Sequence, residues 1–567
     1  MTSTENQQSS GGTQATGRVF PDPAFPSVYA AFCTTAARVP DRPFLRILPE
    51  TAGIYGIAAG DVSYGAALAQ VQRAREAYRR AGYGFGHRVG LLLENRPAFF
   101  IQFLALNSLG VSVVPIGLDL RAAELEYLIG HSELCLAISL PERIDALQAA
   151  ARAAQRPFLA VLPDGVDAVG PPAVALPDAP ARDPDVEDEC ALLYTSGTTG
   201  QPKGCVLANR YFLQMGLHYV RLGGLCAVRP DTETLITPLP MTHMNAFACS
   251  TTAMMVSGGC VVPLDRFHPK SWWDSVRASR ATIVHYLGVM PAMLMSAAPD
   301  PADTDHEVRF GFGAGVDRRL HALFEERFGF PLTEGWAMTE TGAGGIVTAH
   351  VEPRHVGTAC FGKAPPEVEV RLIDDEGRPV PDGENGELLV RAFGPDPRRG
   401  FFREYLKDPV ATVEAWNGGW FHTGDIVRRD AEGDFHFVDR KKNVIRRSGE
   451  NISAVEVESV LRQHPEVQEV AVAATPDAVR GDEVLACVVP RRALTEAERA
   501  SVANDIVAHC LERLSYFKAP GYVAFVASLP LTSSQKIQRG ELKRLAASMP
   551  GTPGVIDTRA LKRRQAS

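Results

Sequence analysis

The sequence predicts an α/β fold. We expect a large N-terminal domain of several subdomains, whose sheets are mostly parallel, and a small α+β C-terminal domain. Three observations predict this. The chain has 567 residues, which is too long for a domain with a single hydrophobic core. Short apolar runs alternate with helix-like stretches through most of the chain. The spacing of these segments then changes after residue 440.

The alternation is clearest in the first 165 residues. Four short apolar runs predict buried strands, because they are too short for helices and are bounded by polar or turn residues. Between them lie a long amphipathic stretch and a second stretch that ends a helix. The strands are predicted at 88–94, 111–117, 134–140 and 158–163, and the helical stretches at 65–82 and 105–110. A surface loop over 165–189 then leads to a further strand at 190–196.

After residue 440 the pattern is that of a small α+β unit. An amphipathic helix over 453–465 should stop at Pro465, and strands are predicted at 469–474 and 484–490. A second helix over 495–514 begins with a capping box, in which Thr495 and Glu498 satisfy each other's backbone N–H groups.

These patterns divide the chain into three parts. Residues 1–20 are polar and should form a disordered tail. Residues 21–440 form the large domain and residues 441–567 the small one, with the boundary near Lys441 and Lys442. The basic end of the chain is interpreted as a solvated tail.

Composition excludes several classes of function. The net charge of −8 disfavours nucleic-acid binding, which requires a basic surface. The ten cysteines are scattered without a C-x-x-C pair, which disfavours a zinc or redox site and fits a reducing cytoplasm. No run is long and apolar enough for a membrane span, and the N-terminus lacks the apolar region of a signal peptide.

The strongest local signal is YTSGTTGQPKG at 194–204. Its glycines, Gly197, Gly200 and Gly204, allow a tight turn with exposed N–H groups. Hydroxyl donors and the charge of Lys203 complete a loop suited to a polyphosphate. The spacing is not that of the G-x-x-x-x-G-K-[ST] P-loop. A flexible Gly/Thr turn is the alternative interpretation.

This string resembles the phosphate loop of the adenylate-forming superfamily, which includes acyl-CoA ligases, peptide-synthetase adenylation domains and firefly-type luciferases. Further segments resemble the family in its order over about residues 25 to 545, and carnitine/crotonobetaine-type acyl-CoA ligases are closest in character. These segments are PLPMTHMNAF (238–247), FGFGAGV (310–316), EGWAMTET (334–341), GWFHTGD (419–425), DRKKNVIRRSGENISAVEVE (439–458) and PLTSSQKIQR (530–539).

The resemblance implies a nucleotide site. Glu340 would bind Mg²⁺, Asp425 would accept the ribose hydroxyls, and Trp336 would stack on adenine where the family usually has Tyr. The ATP- or AMP-binding residues would be Thr195, Ser196, Gly197, Thr198, Thr199, Gly200, Lys203, Gly313, Ala314, Gly315, Gly335, Trp336, Ala337, Met338, Thr339, Asp425, Arg440 and Lys536.

The resemblance also implies two half-reactions. Lys536 would bridge the carboxylate and the α-phosphate during adenylation, together with Glu340, Thr195 and His243 as catalytic residues. Gln535 stands where the family has Gly before this lysine, which makes the loop stiffer. Lys442 would be the hinge about which the small domain rotates, acting as a mobile lid. The rotation would bring Ser448, Gly449 and Glu450 to the CoA thiol.

The acyl group is the least defined substrate. Its pocket residues would be His243, Asn245, Phe247, Gly288, Val289, Ala314, Val316, Ala337 and Gly342. Acetate-restricted relatives place Trp at the position of Ala337, so the sequence predicts a short- to medium-chain acid larger than acetate. The resulting prediction is an acyl-CoA ligase that uses ATP, Mg²⁺ and CoA, with homodimerisation left open.

Three other functions are compatible with parts of the pattern. An adenylating enzyme could load a separate carrier protein, although no phosphopantetheine serine domain follows residue 545. A luciferase-like oxidase shares the first half-reaction. A nucleotide-binding regulator without catalysis would not need Lys536, Asp425 and Glu340 together.

Overall fold

The computed structural model describes residues 18–562 except 175, 177–181, 196–200, 375, 441–444, 449, 453, 531–536 and 538. Within these residues the elements alternate as the sequence predicts, and the α/β fold class is confirmed. The α-helices are α1 (Val28–Arg38), α2 (Pro49–Tyr55), α3 (Tyr64–Ala81), α4 (Pro97–Asn107), α5 (Ala122–Ser132), α6 (Ile144–Ala153), α7 (Asn209–Arg221), α8 (Thr251–Ser257), α9 (Trp272–Ser279), α10 (Val289–Met295), α11 (His321–Phe328), α12 (Pro409–Ala415), α13 (Ala454–Leu461), α14 (Glu496–Leu511) and α15 (Arg539–Ser548).

The strands fall into two sets on either side of residue 440. The first set is β1 (Pro43–Ile47), β2 (Gly60–Ser63), β3 (Arg88–Leu92), β4 (Ser112–Pro115), β5 (Leu136–Ser139), β6 (Leu159–Val161), β7 (Glu189–Thr195), β8 (Lys203–Ala208), β9 (Thr234–Thr237), β10 (Cys260–Pro263), β11 (Ile283–Leu287), β12 (Phe310–Ala314), β13 (Leu332–Trp336), β14 (Val347–Thr348), β15 (Cys360–Gly362), β16 (Val368–Ile373), β17 (Asn385–Ala392), β18 (Glu404–Tyr405), β19 (Phe421–Arg429) and β20 (Phe435–Arg440). The second set is β21 (Ile445–Arg447), β22 (Glu450–Ile452), β23 (Val467–Asp477), β24 (Gly481–Pro490), β25 (Tyr522–Phe525) and β26 (Val555–Asp557).

Two large sheets have parallel centres, with antiparallel strands at one edge of the first sheet and at both edges of the second. One has the order β18-β8-β7-β4-β3-β5-β6 and the other β14-β13-β12-β11-β9-β10-β1-β2. Their central strands are joined by helical crossovers and are almost entirely buried, which explains why they appear in the sequence as continuous apolar runs. A smaller antiparallel sheet, β15-β20-β19-β17-β16, completes the set before residue 440.

The residues after 440 form a separate mixed sheet covered by helices. Its order is β22-β21-β24-β25-β26, and β23 pairs with β24. The predicted capping box is confirmed at α14, where the Glu498 carboxylate accepts the Thr495 backbone N–H at 2.8 Å. Helix α13 ends at Leu461 instead of at 465, because the chain tightens there into a turn closed by i→i−3 hydrogen bonds.

The hydrophobic cores follow the same division. One cluster of buried side chains runs from Phe20 to Phe435, and two others run from Ile445 onward. In the described part of the chain, no hydrophobic cluster of buried side chains contains residues from both sides of residue 440. The predicted boundary lies between these sets, and the domain division itself remains a prediction. No helix among the described residues has the length and apolarity to cross a membrane.

An aromatic cluster joins α4, α7 and a π-helical turn, Asn245–Ser250, in the large core. Phe247 is fully buried and lies edge-to-face against Phe99, Phe103 and Phe212, with ring centroids 5.1, 4.6 and 4.9 Å away. Such edge-to-face contacts stabilise the core beyond the burial of area alone. This cluster therefore fixes the position of the π-helical turn.

Phe247→Ala should lower the free energy of unfolding by about 3–5 kcal/mol, because it leaves a cavity between three rings that cannot all collapse into it. The measurement is the thermal unfolding midpoint followed by circular dichroism. Leu323→Ala is the control, since Leu323 is 50% exposed and its truncation should hardly move the midpoint. Equal midpoints for both variants would show that the aromatic cluster does not stabilise the core.

Candidate active site

A cavity of about 1780 Å³ lies where the carboxyl ends of β11, β12 and β13 face the residues that follow 440. These three strands are parallel neighbours, so the loops that follow them leave the sheet at one edge. Ligands of open α/β sheets bind at this edge. The volume exceeds the roughly 300–1,000 Å³ of a pocket for one small molecule, so it can hold more than one reactant.

Close backbone approach shapes the floor of the cavity. A Cβ atom on Gly288 would lie 1.7 Å from the carbonyl oxygen of Gly315, so only glycine fits at residue 288. Gly315 itself has a φ of 80°. The buried Glu334 carboxylate accepts the Val316 N–H at 2.7 Å and holds this turn in place. The backbone of the glycine-rich segment is therefore held in a fixed position and forms the floor of the cavity.

Glu340 lies buried at the end of the segment that follows β13. Its Oε1 atom accepts hydrogen bonds from the Tyr405 hydroxyl at 3.0 Å and the Thr195 hydroxyl at 3.3 Å. Burial and the nearby Glu340 charge raise the pKa of Tyr405, so this phenol remains a donor. Carboxylate and hydroxyl oxygens of this kind suit Mg²⁺, and the predicted pair of Thr195 and Glu340 is brought together.

Lys203 lies beside the same group without lining the cavity. Its ammonium is 4.7 Å from the centroid of the Tyr405 ring and 3.9 Å from an oxygen of Asp408. Sequence reasoning missed Tyr405 and Asp408. The aromatic pair Phe402 and Tyr405, which lies a few residues before Asp408, is the signal that could have found them.

Trp336 and Asp425 are in direct contact. The indole N–H donates to Oδ2 of Asp425 at 2.9 Å, and the two residues are 7% and 1% exposed. Trp336 lines the cavity, whereas Asp425 lies behind it and pairs across the β-ladder with Arg440. The indole side chain therefore separates the predicted ribose acceptor from the cavity in this arrangement.

His243 lies at the mouth of the cavity and faces the small domain. Its imidazole Nε2 is 3.6 Å from a carboxylate oxygen of Glu450, and its side chain is 46% exposed. Partial burial disfavours the charged imidazole, but the negative charge of the nearby Glu450 carboxylate prevails and raises its pKa. Residues from the two sides of residue 440 thus meet at the predicted thiol end of the site.

A buried charge cluster connects the two sides a second time. The Lys518 ammonium lies 2.7 Å from Glu124 and 2.9 Å from Glu456, and the Ser515 hydroxyl donates to Glu124 at 3.1 Å. Desolvation opposes the charge on Lys518, but both carboxylates outweigh it and raise its pKa. All three charged side chains line the cavity, and no motif in the sequence pointed to them.

The structure collects most, but not all, of the predicted site residues around the cavity. Three predicted acyl-pocket residues do not line it: Phe247 belongs to the aromatic cluster, Val316 lies beyond the floor, and Gly342 packs against Tyr211 and Gly400. Five predicted sets lie outside the described residues, namely Ser196 to Gly200, Lys441, Lys442, Gly449 and Lys536. The predicted residues that line the cavity are Thr195, His243, Asn245, Gly288, Val289, Gly313, Ala314, Gly315, Gly335, Trp336, Ala337, Met338, Thr339, Glu340, Ser448 and Glu450.

Curated relatives share most of the chain. Sulfoacetate–CoA ligase of Cupriavidus necator is 32% identical over 526 residues, which cover 91% of this chain and 97% of the relative. Crotonobetaine/carnitine–CoA ligase of Shigella flexneri is 31% identical over 489 residues, which cover 84% and 91%.

Solved structures share the fold. A double mutant of o-succinylbenzoate CoA synthetase from Bacillus subtilis, bound with its product analogue OSB-NCoA, aligns with a TM-score of 0.77 at 23% identity, covering 92% of this chain and 98% of that one. The same synthetase in complex with AMP aligns with a TM-score of 0.62 at 23% identity, covering 91% and 98%. Amide bond synthetase McbA from Marinactinospora thermotolerans aligns with a TM-score of 0.76 at 23% identity, covering 92% and 100%.

Family models match both parts of the chain. The model for AMP-binding enzymes matches residues 32–406, and the model for the AMP-binding enzyme C-terminal domain matches residues 456–536. The first match alone spans more than half of the 567 residues. The chain belongs to the AMP-binding enzyme family and is an ATP-dependent, AMP-forming acid–CoA ligase.

Proposed function

We propose that the chain activates a carboxylic acid larger than acetate and that the cavity holds the acid, the nucleotide and the CoA thiol in turn. The observation that carries the proposal is the shared cavity itself, whose lining combines the segment from Gly335 to Glu340 with small-domain residues at Ser448 and Glu450. Adenylation of the acid releases pyrophosphate, and attack of the thiol on the acyl adenylate releases AMP.

The adenylation step requires that two anions approach each other. A carboxylate must attack an α-phosphorus whose oxygens are already charged, so cations near these oxygens lower the barrier. Bound Mg²⁺ would neutralise phosphate charge, held through Glu340. Lys203 is proposed to add positive charge on the side of the phosphate loop. Its ammonium lies over the ring of Tyr405, and the Tyr405 hydroxyl donates a hydrogen bond to Glu340. Lys536 is proposed as the cation that bridges carboxylate and α-phosphate.

Trp336 and Asp425 are proposed to bind the nucleoside. The Asp425 carboxylate can accept the ribose hydroxyls once the indole N–H releases it, and the same indole can then lie against the adenine. The 2.9 Å hydrogen bond supports this pairing, because it places the stacking ring and the ribose acceptor in one contact.

We infer that the arrangement seen here serves the thiol step. The small domain presents Glu450 to His243 and Lys518 to Glu124, which encloses the cavity from the side of the predicted CoA residues. The TM-scores support this inference, because the alignment to one synthetase is better with a CoA-type product analogue than with AMP. Rotation at Lys442 would bring Lys536 in for adenylation.

The acid pocket is proposed to accept acids longer than acetate and acids whose tail carries a polar group. Ala337 leaves room beside Trp336, and apolar side chains such as Val289 and Met290 line the neighbouring wall. Sulfoacetate, carnitine and unbranched acids from acetate to octanoate therefore form the first substrate panel, with pyrophosphate release as the assay. If no acid in a broad panel releases pyrophosphate, the proposed function is wrong.

A cytoplasmic location is also proposed, and the ten unpaired cysteines support it.

Lys536→Ala should abolish adenylation while thioester formation from supplied acyl adenylate survives, because the lysine should contact the α-phosphate in only one arrangement. Pyrophosphate release and acyl-CoA formation are measured separately. Lys270→Ala, an exposed lysine, is the control. Equal loss of both half-reactions would overturn the role of Lys536.

Ala337→Trp should reduce kcat/KM for octanoate far more than for acetate. The added indole fills the space beside Trp336, and a packed wall cannot absorb it without strain. Kinetics of pyrophosphate release across the panel measure this. An unchanged order of substrates would place Ala337 away from the acid.

Glu124→Gln should slow thioester formation roughly tenfold relative to adenylation. The substitution keeps an acceptor for the Arg121 N–H but removes one of the two charges that compensate the buried Lys518 ammonium, and so destabilises this domain arrangement. The two half-reactions are compared with those of the exposed control Glu126→Gln. A proportional loss in both steps would contradict the assignment of this arrangement to the thiol step.

A further inference from the structure

We propose that the pocket selects an acid whose tail carries an acceptor oxygen, such as a hydroxyl, keto or ether oxygen, and that Asn245 recognises this oxygen with its amide N–H groups. The inference rests on the proposed function, since it concerns the acid that the cavity binds. A buried network of three side chains, Tyr219, His285 and Ser250, decides which way the Asn245 amide faces.

The network begins at Tyr219, whose side chain is completely buried on α7. Its hydroxyl lies 3.0 Å from Nε2 of His285. Among the described residues, this ring nitrogen is the hydrogen-bond partner of the hydroxyl. A buried hydroxyl must donate its proton, because leaving it unsatisfied costs about 1–3 kcal/mol. Nε2 of His285 is therefore the acceptor in this contact.

His285 must then carry its single proton on Nδ1. The ring is fully buried on β11, and this burial lowers its pKa to about 3, so it is neutral at physiological pH. Nδ1 lies 2.7 Å from Oδ1 of Asn245 and 2.8 Å from Oγ of Ser250. Since Nδ1–H is the donor, both oxygens accept from it.

Ser250 does not alter the direction of the hydrogen bond from Nδ1 of His285 to Asn245. Its hydroxyl donates to the Asn245 backbone carbonyl oxygen at 3.0 Å, so a lone pair remains to accept from His285. The two residues are the first and last of the π-helical turn Asn245–Ser250, a wide backbone form that is frequent at functional sites. The turn is held from below by Phe247 in the aromatic cluster.

The amide nitrogen of Asn245 therefore points away from His285. Asn245 lines the cavity and is half-buried, and no acceptor for its Nδ2 atom occurs among the described residues. The part of the cavity lining that follows His285 along the chain is apolar, namely Leu287, Val289, Met290 and Met293, and Met244 directly precedes Asn245. In such a wall a bound aliphatic tail would strip water from the donor without replacing it, which a tail with an acceptor oxygen avoids.

The cost of leaving the Asn245 donor without an acceptor predicts strong discrimination between oxygenated and saturated acids. A pocket built to hydrogen-bond a substrate group rejects the analogue that lacks it more effectively than an apolar pocket rejects an extra group. Oxygenated acids should therefore exceed their saturated analogues in kcat/KM by about tenfold or more.

The test compares matched acids in pyrophosphate release: butanoate with its 2-, 3- and 4-hydroxy and 3-oxo derivatives, and hexanoate with the same series. Wild-type enzyme should prefer at least one oxygenated acid of each series by about tenfold. Asn245→Leu, which keeps the volume and removes the donors, should bring this ratio to near one. Asn417→Leu, at an exposed turn, should leave the ratio unchanged.

Tyr219 is a positioning residue, and its effect is read from the same ratio. Tyr219→Phe removes the donor that fixes the His285 tautomer, so the ratio should fall part of the way towards one. Nitrogen-15 spectra of histidine-labelled enzyme provide a readout without substrate: the His285 signals should show a protonated Nδ1 and a bare Nε2.

Three results would overturn the inference while leaving acyl adenylation intact. These are equal rates for oxygenated and saturated acids, a preference that survives Asn245→Leu, and a His285 protonated at Nε2. Absence of pyrophosphate release with every acid would instead refute the proposed function, and the inference with it.

Discussion

The parallel register of β11, β12 and β13 is the constraint on which the rest of the structure depends. Leu287 pairs with Ala314, and Gly313 with Glu334, so the three strands end at one edge of the sheet. The floor of the cavity, the aromatic ring of Trp336 and the carboxylate of Glu340 all follow from these ends. The contact between Gly288 and Gly315 then keeps the first two strand ends closer than any side chain would permit.

Charge is distributed around this edge according to burial. Glu340 lies inside, where two hydroxyl groups solvate it, while Lys203 does not line the cavity and its ammonium lies over the ring of Tyr405. The small domain adds Lys518 between two buried carboxylates. A buried triad of this kind costs desolvation energy and contributes little net stability, but it is sensitive to the loss of one partner.

Predictions from sequence succeeded where the signal was local. The buried strands at 88–94 and 134–140 and the capping box at Thr495 were recognisable, because apolar runs and end residues act within a few positions. They failed where position depends on packing. Phe247 stands two residues from Asn245, yet one enters the core and the other the cavity, because residues two apart on a helical turn face opposite sides. Tyr405 and Lys518 were missed, since their partners lie far away in the chain.

The sequence by itself determined the α/β fold class and the order of family-like segments, and it predicted the phosphate-loop string and the roles of Glu340, Asp425 and Lys536. These follow from residue type and local spacing, which are properties of the chain before it folds. Tertiary structure alone decided that Trp336 covers Asp425, that Glu450 meets His243, and that His285 turns the Asn245 amide towards the cavity. The reason is physical: hydrogen-bond direction and burial are set by neighbours distant in sequence, and no local pattern records them.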